Sequence, residues 1–469
     1  MVEYRMLNRN RFGLGIEKLA TLVEARFLTC ITVILILGTV LRILFIWLTT
    51  SPTETLNLFW PGYTDGEDYS NIARSLVETG VYGYGGRPSA YRSPAYPFWI
   101  ALIWKIFGES LTLVRLLQIA LFVGMTICYA YVTLKYFGKF AAALTALVFS
   151  VYPLFVFMTT EIATENLYMP LASIVFALTL MLLHNKKQGK GNAIVALAAG
   201  LFCGAGILTR PNMLFVFLMV QALIAWYAFT HAERSRNWIT SFIGLWIGAL
   251  LVTTPWAIRN QLQLGAPVLT TEIYYVFFRG TFDFVDGIPN GQSIFSVFSE
   301  HHVIYEDQIE DPKKIRLPIS EVENEKNARA AALAIIRSDP ALWFKERGKN
   351  LLYFWLNLQW ELRDGSERPE LVEKRPIVVA AAALVTIVYY VLLLGAIVGS
   401  ISVWRGDIGL EQRLFVAVAW SFILAAMSVV ITTVGKRYRV AMIDPYLVML
   451  ACVGIASWLN RLRRPVLGR

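Results

Sequence analysis

The sequence has 469 residues, of which 56% are hydrophobic and 16% are charged, and its formal net charge is +10. A soluble domain carries about 25% charged residues, so this composition excludes an ordinary soluble protein and indicates one embedded in a lipid bilayer. The basic residues lie mostly in short loops between apolar segments. This placement argues against nucleic acid as a partner and predicts that the basic residues set the membrane orientation.

Apolar segments long enough to cross a bilayer, which takes about 17–25 residues, follow one another along the chain. We count ten of them, give or take one. They predict an all-α polytopic membrane protein of about ten transmembrane helices. The segments lie at 28–49, 110–134, 139–158, 165–184, 192–209, 211–230, 238–255, 376–404, 413–433 and 440–460.

Lysine and arginine residues in the short loops predict the orientation of these helices. With the N-terminus in the cytoplasm, every inner loop is basic and both chain ends lie inside. The residues behind this assignment are Lys135, Lys139, Lys186, Lys187, Lys190, Arg234, Arg236, Arg405, Arg413, Arg461, Arg463, Arg464 and Arg469. The predicted organisation is a cytoplasmic basic N-terminus (1–27), an N-terminal transmembrane module (28–255) with an outer loop (50–109), an outer-face segment (256–375), C-terminal transmembrane helices (376–460) and a cytoplasmic basic tail (461–469).

The first outer loop contains two short predicted helices. Its apolar residues between Tyr69 and Val77 follow the spacing of one helical stripe, which predicts a short amphipathic helix that lies along the membrane surface. A second short helix is predicted to start at Pro94 or Pro97 and to end at Gly108.

The outer-face segment is predicted to be partly helical. Ser320 and Glu323 have the spacing of a capping box, and the helix that they open should run to Arg337. Residues 341–358 are amphipathic and rich in aromatic residues, which is typical of a helix at the membrane interface.

An acidic cluster formed by Asp65, Glu67 and Asp68 precedes the first of these surface helices. One interpretation is structural, because Thr64 and Glu67 form a capping box and acids favour the positive end of the helix dipole. The other is that a carboxylate at the membrane surface is a general base. The two can hold together, with Glu67 capping the helix while Asp65 acts as the base.

An ordered set of motifs resembles the GT-C fold glycosyltransferases, in particular the bacterial relatives of the dolichyl-phosphate-mannose protein mannosyltransferases and of the lipid A aminoarabinose transferase. Each motif is weak alone, but the set spans most of the chain. The motifs are D-x-x-x-Y-x-x-I-A-x-x-L at 65–76, G-x-Y at 80–82, Y-R-S-P-A-Y-P at 91–97, I-F-G-E-S at 106–110, T-R-P-N at 209–212, P-W-A-I-R-N with G-A-P-V at 255–268, and K-R-Y-R at 436–439.

The resemblance implies a GT-C-like bundle in which Asp65 is the catalytic base. Many relatives place a second acid directly after the base, whereas this sequence has Gly66 there and its next acid is Glu67. Relatives also carry an acid in the outer loop before the fourth helix, and Glu165 matches that pattern better than Glu161 does. Tyrosines of the first outer loop become candidates for the substrate site: Tyr69, Tyr91 and Tyr96.

Several basic residues run against the positive-inside trend and are candidates for binding the donor phosphate, since arginine binds phosphate through paired hydrogen bonds. The alternative for each is simple contact with lipid headgroups. The candidates are Arg92, Arg210, Arg259, Lys436, Arg437 and Arg439. Arg42 and Arg115 lie within predicted spans and should pair with an acid, with backbone carbonyls or with a functional group.

Two functions of different classes remain open at this point. The first is an inverting transferase that moves a sugar from a polyprenyl-phosphate donor to a glycolipid, lipopolysaccharide or protein acceptor. It would work on the periplasmic side of a bacterial inner (plasma) membrane, in contact with the membrane lipids. The second is a polytopic secondary transporter or a flippase for lipid-linked sugars, which would place polar groups near the bilayer midplane. The sequence assigns no cofactor and no metal site, and the question of a divalent metal stays open.

Overall fold

The computed structural model describes residues 18–51, 65–184, 190–230, 238–273, 277, 320–356, 376–406, 409–432 and 436–463. The described chain is a bundle of helices, which confirms the predicted all-α fold class. Its only regular strands within these ranges are β1 (Gly83–Tyr84) and β2 (Arg87–Pro88), which pair in antiparallel fashion. The two-residue turn between them is Gly85–Gly86, and both residues have the positive φ that such a tight hairpin requires.

The helices follow the predicted order. The first half contains α1 (Phe27–Thr49), α2 (Asp65–Thr79), α3 (Ala95–Phe107), α4 (Leu111–Phe137), α5 (Lys139–Val151), α6 (Pro153–Met158), α7 (Glu165–His184), α8 (Lys190–Thr209), α9 (Met213–Thr230) and α10 (Trp238–Leu264). The second half contains α11 (Glu321–Ser338), α12 (Pro340–Leu356), α13 (Pro376–Arg405), α14 (Leu410–Ala426), α15 (Val429–Thr432), α16 (Lys436–Met442) and α17 (Asp444–Arg463).

Seven of the described helices are long and apolar enough to cross a membrane: α1, α4, α7, α8, α9, α10 and α13. The other three predicted spans correspond to interrupted helices, namely α5 with α6, α14 with α15, and α16 with α17. Each predicted span therefore has a helical counterpart, and the chain is an integral membrane protein.

The interruption between α5 and α6 has a clear cause. Pro153 has no N–H group, so the carbonyl of Phe149 loses its helical partner. Arg42 of α1 replaces that partner, because its guanidinium donates to the carbonyl oxygens of Phe149 at 3.0 Å and of Ser150 at 2.8 Å. The buried Arg42 is thus a structural residue that pairs with backbone carbonyls, one of the alternatives that the sequence allowed.

Helices α8 and α10 pack closely through small residues. Each carries a G-x-x-x-G motif, with Gly200 and Gly204 on α8 and Gly244 and Gly248 on α10. A Cβ atom added at Gly248 would lie 2.3 Å from the carbonyl oxygen of Leu197, so the two backbones touch there. Such close approach is how helices associate in lipid, where apolar burial between helices gains little.

We therefore expect Gly248→Ala to lower the midpoint of thermal unfolding in detergent, because the added methyl group overpacks a backbone contact, at a cost of about 1–3 kcal/mol. The matched control is Gly124→Ala in α4, where an added Cβ meets nothing within 4 Å. Alanine is the better helix former, so the control should leave the midpoint unchanged or raise it. Equal midpoints for the two variants would contradict the proposed packing.

Hydrogen bonds show which loops share one end of the bundle. The Arg115 guanidinium at the start of α4 donates to the carbonyl oxygen of Ser51 after α1 (2.7 Å) and to that of Thr160 before α7 (2.9 Å). At the opposite end, the ammonium of Lys139 donates to the carbonyl of Glu24 at 3.0 Å. The first outer loop and the segment before α7 therefore lie together, as alternation of the spans requires.

The short helices of the outer segments begin and end close to their predicted bounds. Gly108 with its positive φ ends α3. The Ser320 hydroxyl accepts a hydrogen bond from the N–H of Glu323 at 3.2 Å, which is half of the predicted capping box. Asp339 then caps α12 by accepting from the N–H of Leu342 at 2.9 Å. The capping box predicted at Thr64 lies outside the described residues.

Candidate active site

Asp65 is the first residue of α2, and its carboxylate is held from the other side of the first outer loop. The Nη2 atom of Arg92 lies 3.1 Å from its Oδ1 atom. The same nitrogen lies 2.6 Å from Asp68, which is one turn further along α2, and Nε of Arg92 lies 3.0 Å from that carboxylate. The remaining Nη1 atom pairs with Glu272, which follows α10.

These four residues, Arg92, Asp65, Asp68 and Glu272, form what we call the Arg92 cluster. The side chains of Arg92 and Asp68 are only 7% and 2% exposed, whereas those of Asp65 and Glu272 are 22% and 23% exposed. The cluster therefore has a buried half that fixes the geometry and an open half that a substrate can reach. Asp65 belongs to the open half.

The charges of the cluster do not balance, since three carboxylates surround one guanidinium. Although burial disfavours the charged guanidinium, the carboxylates of Glu272, Asp65 and Asp68 raise the pKa of Arg92 well above its ordinary value. The pKa of Tyr69 is raised by burial and by the neighbouring Asp65. The Tyr69 phenol thus stays protonated beside the carboxylates.

Backbone contacts from both outer segments hold the loop that carries Arg92. The Tyr82 hydroxyl donates to the carbonyl of Arg92 at 2.8 Å, and the Thr270 hydroxyl donates to the carbonyl of Tyr91 at 2.7 Å. The carboxylate of Glu321 accepts from the Ala90 N–H at 2.6 Å. The loop that brings Arg92 to Asp65 is therefore fixed by hydrogen bonds to its backbone from both outer segments.

Arg259 contacts the same loop. Its guanidinium donates to the carbonyl oxygens of Tyr82 at 2.6 Å and of Ser89 at 2.8 Å, and it lies over the ring of Trp256. These contacts use its donors on backbone, which favours a role in shaping the loop over the predicted phosphate contact. The donors of Arg92 are occupied by three carboxylates, which also disfavours the predicted phosphate contact for this residue.

Glu165 and Arg210 form a charged pair in addition to the Arg92 cluster. The Nη1 atom of Arg210 lies 2.5 Å from Oε1 of Glu165, whose side chain is only 1% exposed. The guanidinium also stacks on the ring of Tyr438 at 4.3 Å. The charge of Arg210 also acts on Tyr69, the ring over which the Arg92 guanidinium lies. The structure thus brings together Glu165, Arg210 and the K-R-Y-R segment.

Of the three predicted substrate tyrosines, Tyr96 is a packing residue. It is fully buried, its ring meets Tyr69 edge to face at 5.3 Å, and its hydroxyl is bonded to Gln118. Tyr69 is also buried, and the Arg92 guanidinium lies over it. Tyr91 is half-buried at the same guanidinium and is the best placed of the three to touch a substrate.

Arg439 is a buried residue. It pairs with Asp444 at 3.3 Å, both side chains are buried, and the guanidinium lies 3.8 Å from the ring centre of Tyr389. The Tyr152 hydroxyl donates to the same aspartate at 2.9 Å. This network joins three parts of the bundle, and it favours a structural role over the predicted phosphate contact. The side chains of Lys436 and Arg437 lie outside the described residues.

The sequence analysis assigned no role to Glu272. It is a single acid after the G-A-P-V motif, and nothing in its spacing links it to Arg92, from which it is 180 residues away in the chain. Asp68 was noted as part of an acidic cluster without a function of its own. In the described parts of the chain, no group of three or more His, Cys, Asp or Glu side chains is arranged to hold a metal ion.

Comparison with known proteins adds a partial family match and a fold. Residues 91–258 match the model of the dolichyl-phosphate-mannose-protein mannosyltransferase family. That segment includes Arg92, Glu165 and Arg210, and it begins after Asp65. No curated protein is similar enough in sequence to count as a match.

Solved structures resemble the chain over most of its length. The archaeal oligosaccharyltransferase AglB from Archaeoglobus fulgidus, in complex with an inhibitory peptide and a dolichol-phosphate, is similar with a TM-score of 0.52 and 11% identity over 95% of this chain and 52% of that one. The apo form of the A. fulgidus enzyme gives a TM-score of 0.51 and 12% identity over 91% of this chain and 50% of that one.

ArnT from Cupriavidus metallidurans bound to undecaprenyl phosphate gives a TM-score of 0.42 and 14% identity over 90% of this chain and 77% of that one. The chain spans about half the length of the oligosaccharyltransferase that it matches. The chain thus shares the fold of this oligosaccharyltransferase, and its central part is similar to the dolichyl-phosphate-mannose-protein mannosyltransferase family.

Proposed function

We propose that the chain transfers a sugar from a polyprenyl-phosphate donor to an acceptor at the non-cytoplasmic face of the membrane, with inversion at the anomeric carbon. Asp65 is the general base. It takes the proton from an acceptor hydroxyl or amine while the acceptor oxygen or nitrogen bonds to the anomeric carbon, and the bond from that carbon to the phosphate oxygen breaks. The polyprenyl phosphate departs as an anion.

The observation that carries this proposal is the position of Asp65. Its carboxylate is partly exposed, fixed by Arg92, and located at the end of the bundle where the first outer loop meets the segment before α7. A general base has to be held within hydrogen-bonding reach of the proton it removes. A carboxylate fixed at the membrane surface meets that requirement for a donor whose phosphate lies at the same level.

The donor phosphate needs cationic groups of its own, because the Arg92 cluster carries an excess of negative charge. Arg210 is the described candidate, since its charge acts on Tyr69 and its guanidinium stacks on Tyr438. Helix α16 begins at Lys436, so Arg210 lies beside the segment that carries Lys436 and Arg437. We propose that the departing phosphate binds between Arg210 and these two residues, where fixed positive charge stabilises it.

The lipid carrier and the location follow from the same proposal. The archaeal oligosaccharyltransferase with this fold was solved with a dolichol-phosphate, and a bacterial counterpart of that carrier would be another polyprenyl phosphate. The acceptor is a glycolipid such as lipopolysaccharide, or a protein. The basic residues in the loops at the other end of the helices support a site on the periplasmic side of the inner membrane.

The test is transfer by purified protein in proteoliposomes. We expect it to release polyprenyl phosphate from a panel of synthetic polyprenyl-phosphate sugars when extracted envelope glycolipids are added as acceptors. Glycolipids from cells with and without the gene should differ in mass by one sugar residue. Movement of intact donor across the vesicle membrane, without cleavage of its phosphate bond, would contradict this proposal and identify a flippase instead.

Residue accessibility tests the predicted orientation separately. Arg87 is exposed in the hairpin beside the candidate site, and the four native cysteines lie within helices. A cysteine introduced by Arg87→Cys should react with a membrane-impermeant maleimide at the periplasmic side of intact spheroplasts. Labelling only after the membrane is permeabilised would place the site on the cytosolic side and reject the mechanism.

A further inference from the structure

We propose that Glu272 is a positioning residue that keeps Asp65 basic, by neutralising the arginine that holds Asp65 in place. This inference rests on the proposed function, because it assigns the catalytic proton transfer to Asp65. Its physical basis is the Arg92 cluster, in which both carboxylates contact the same guanidinium.

A catalytic carboxylate has to be held in place and also has to keep a high proton affinity, and the cluster meets both requirements. A carboxylate paired with one arginine is fixed in place, but the positive charge lowers its pKa and weakens it as a base. In this site the same guanidinium also contacts Asp68 and Glu272. The repulsion from these two carboxylates opposes the attraction of Arg92, so Asp65 keeps the geometry of the pair without the full loss of proton affinity.

The two extra carboxylates have different parts in this arrangement. Asp68 is almost completely buried and contacts two nitrogens of Arg92, so it anchors the guanidinium. Glu272 is 23% exposed, contacts the far nitrogen, and comes from the other outer segment. Removing the charge of Glu272 therefore changes the electrostatics of Asp65 while the buried anchor stays in place.

Other charged and titratable groups face Asp65 from the elements around it, and they define what has to be held constant. On α2 they are Asp68 and Tyr69, and from the loop before α3 Arg92 contributes. From the junction of α8 and α9, Arg210 acts on Tyr69. Glu272 is the member of this set that lies after α10, and its loss leaves the charges of the others unchanged.

The test is a direct titration of Asp65 in purified protein without substrate. Infrared difference spectra are recorded as a function of pH in lipid nanodiscs, and the carboxyl band that disappears in Asp65→Asn is assigned to Asp65. We expect the midpoint of that band to fall by about one pH unit in Glu272→Gln, because a negative charge a few ångströms away is lost. Glu272→Asp, which retains the charge, should restore most of the midpoint.

Glu321→Gln is the matched control. Glu321 also joins the second outer segment to the loop before Arg92, through Ser89 and Ala90, so it tests a structural link of the same kind. The midpoint of the Asp65 titration in Glu321→Gln should equal that of the wild type. An unchanged midpoint in Glu272→Gln, or an equal fall in the two variants, would overturn the inference.

The outcome for the proposed function is read separately, from transfer by Asp65→Asn. If that variant transfers sugar at the wild-type rate, the assignment of the base fails, whatever the titration shows. If the variant is inactive and the Glu272→Gln midpoint is unchanged, the base stands and only the role of Glu272 is rejected. When both arms behave as expected, Glu272→Gln should also shift the acid limb of the pH–rate profile to lower pH.

Discussion

Asp65→Asn is expected to reduce the rate of sugar transfer by about 10²–10⁴-fold, the range that a positioned general base contributes. Asparagine has the same size as aspartate, and its carbonyl oxygen can still accept from Arg92. The guanidinium also keeps Asp68 and Glu272 as partners. The variant should therefore fold with an unchanged unfolding midpoint, and the loss should appear in kcat rather than in the donor KM.

Glu67→Gln is the comparison that separates the two acids of this helix. Glu67 lies two residues from Asp65 and is partly exposed, but it is not among the residues that contact Arg92. We expect its loss to cost less than about tenfold, in line with a helix-capping role. A larger loss in Glu67→Gln than in Asp65→Asn would transfer the role of base to Glu67.

Much of the fold could be predicted because the bilayer imposes simple constraints. Apolar length reveals each span, and proline and glycine mark the ends of helices, as Pro94 and Gly108 do for α3. Pro153 interrupts the third span because proline lacks the N–H group that a helix needs. The repair of this interruption by Arg42 could not be foreseen, since it depends on a contact between residues more than a hundred positions apart.

In the candidate site, too, some features could be predicted from the sequence and others could not. The acidic cluster and the family resemblance singled out Asp65 and Glu165, and the positive-inside trend singled out the arginines. The partners were not predictable. Arg259 contacts backbone carbonyls and Arg439 contacts a buried aspartate, and only tertiary packing decides between such contacts and a phosphate. The same limit applies to Glu272, whose role depends entirely on where the second outer segment folds back.

Arg210→Ala is expected to destabilise the protein by about 3–5 kcal/mol, the usual cost of leaving one member of a buried ion pair alone. Glu165 is almost completely buried, so it cannot turn to water when its partner is removed. The stacking contact with Tyr438 is lost as well. A clear fall in the midpoint of thermal inactivation in detergent, together with loss of transfer, is the expected result.

Stability and phosphate binding can be separated by removing both charges at once. In the double variant Glu165→Gln, Arg210→Met, no buried charge is left alone, and methionine still packs against Tyr438. The midpoint of thermal inactivation should therefore rise most of the way back to the wild-type value. If Arg210 also binds the donor phosphate, the donor KM should stay raised about tenfold or more in this stable variant, as expected for loss of a charged hydrogen bond. Recovery of a wild-type KM along with the midpoint would show that Arg210 supports the structure alone, and the phosphate site would then have to be built from Lys436 and Arg437.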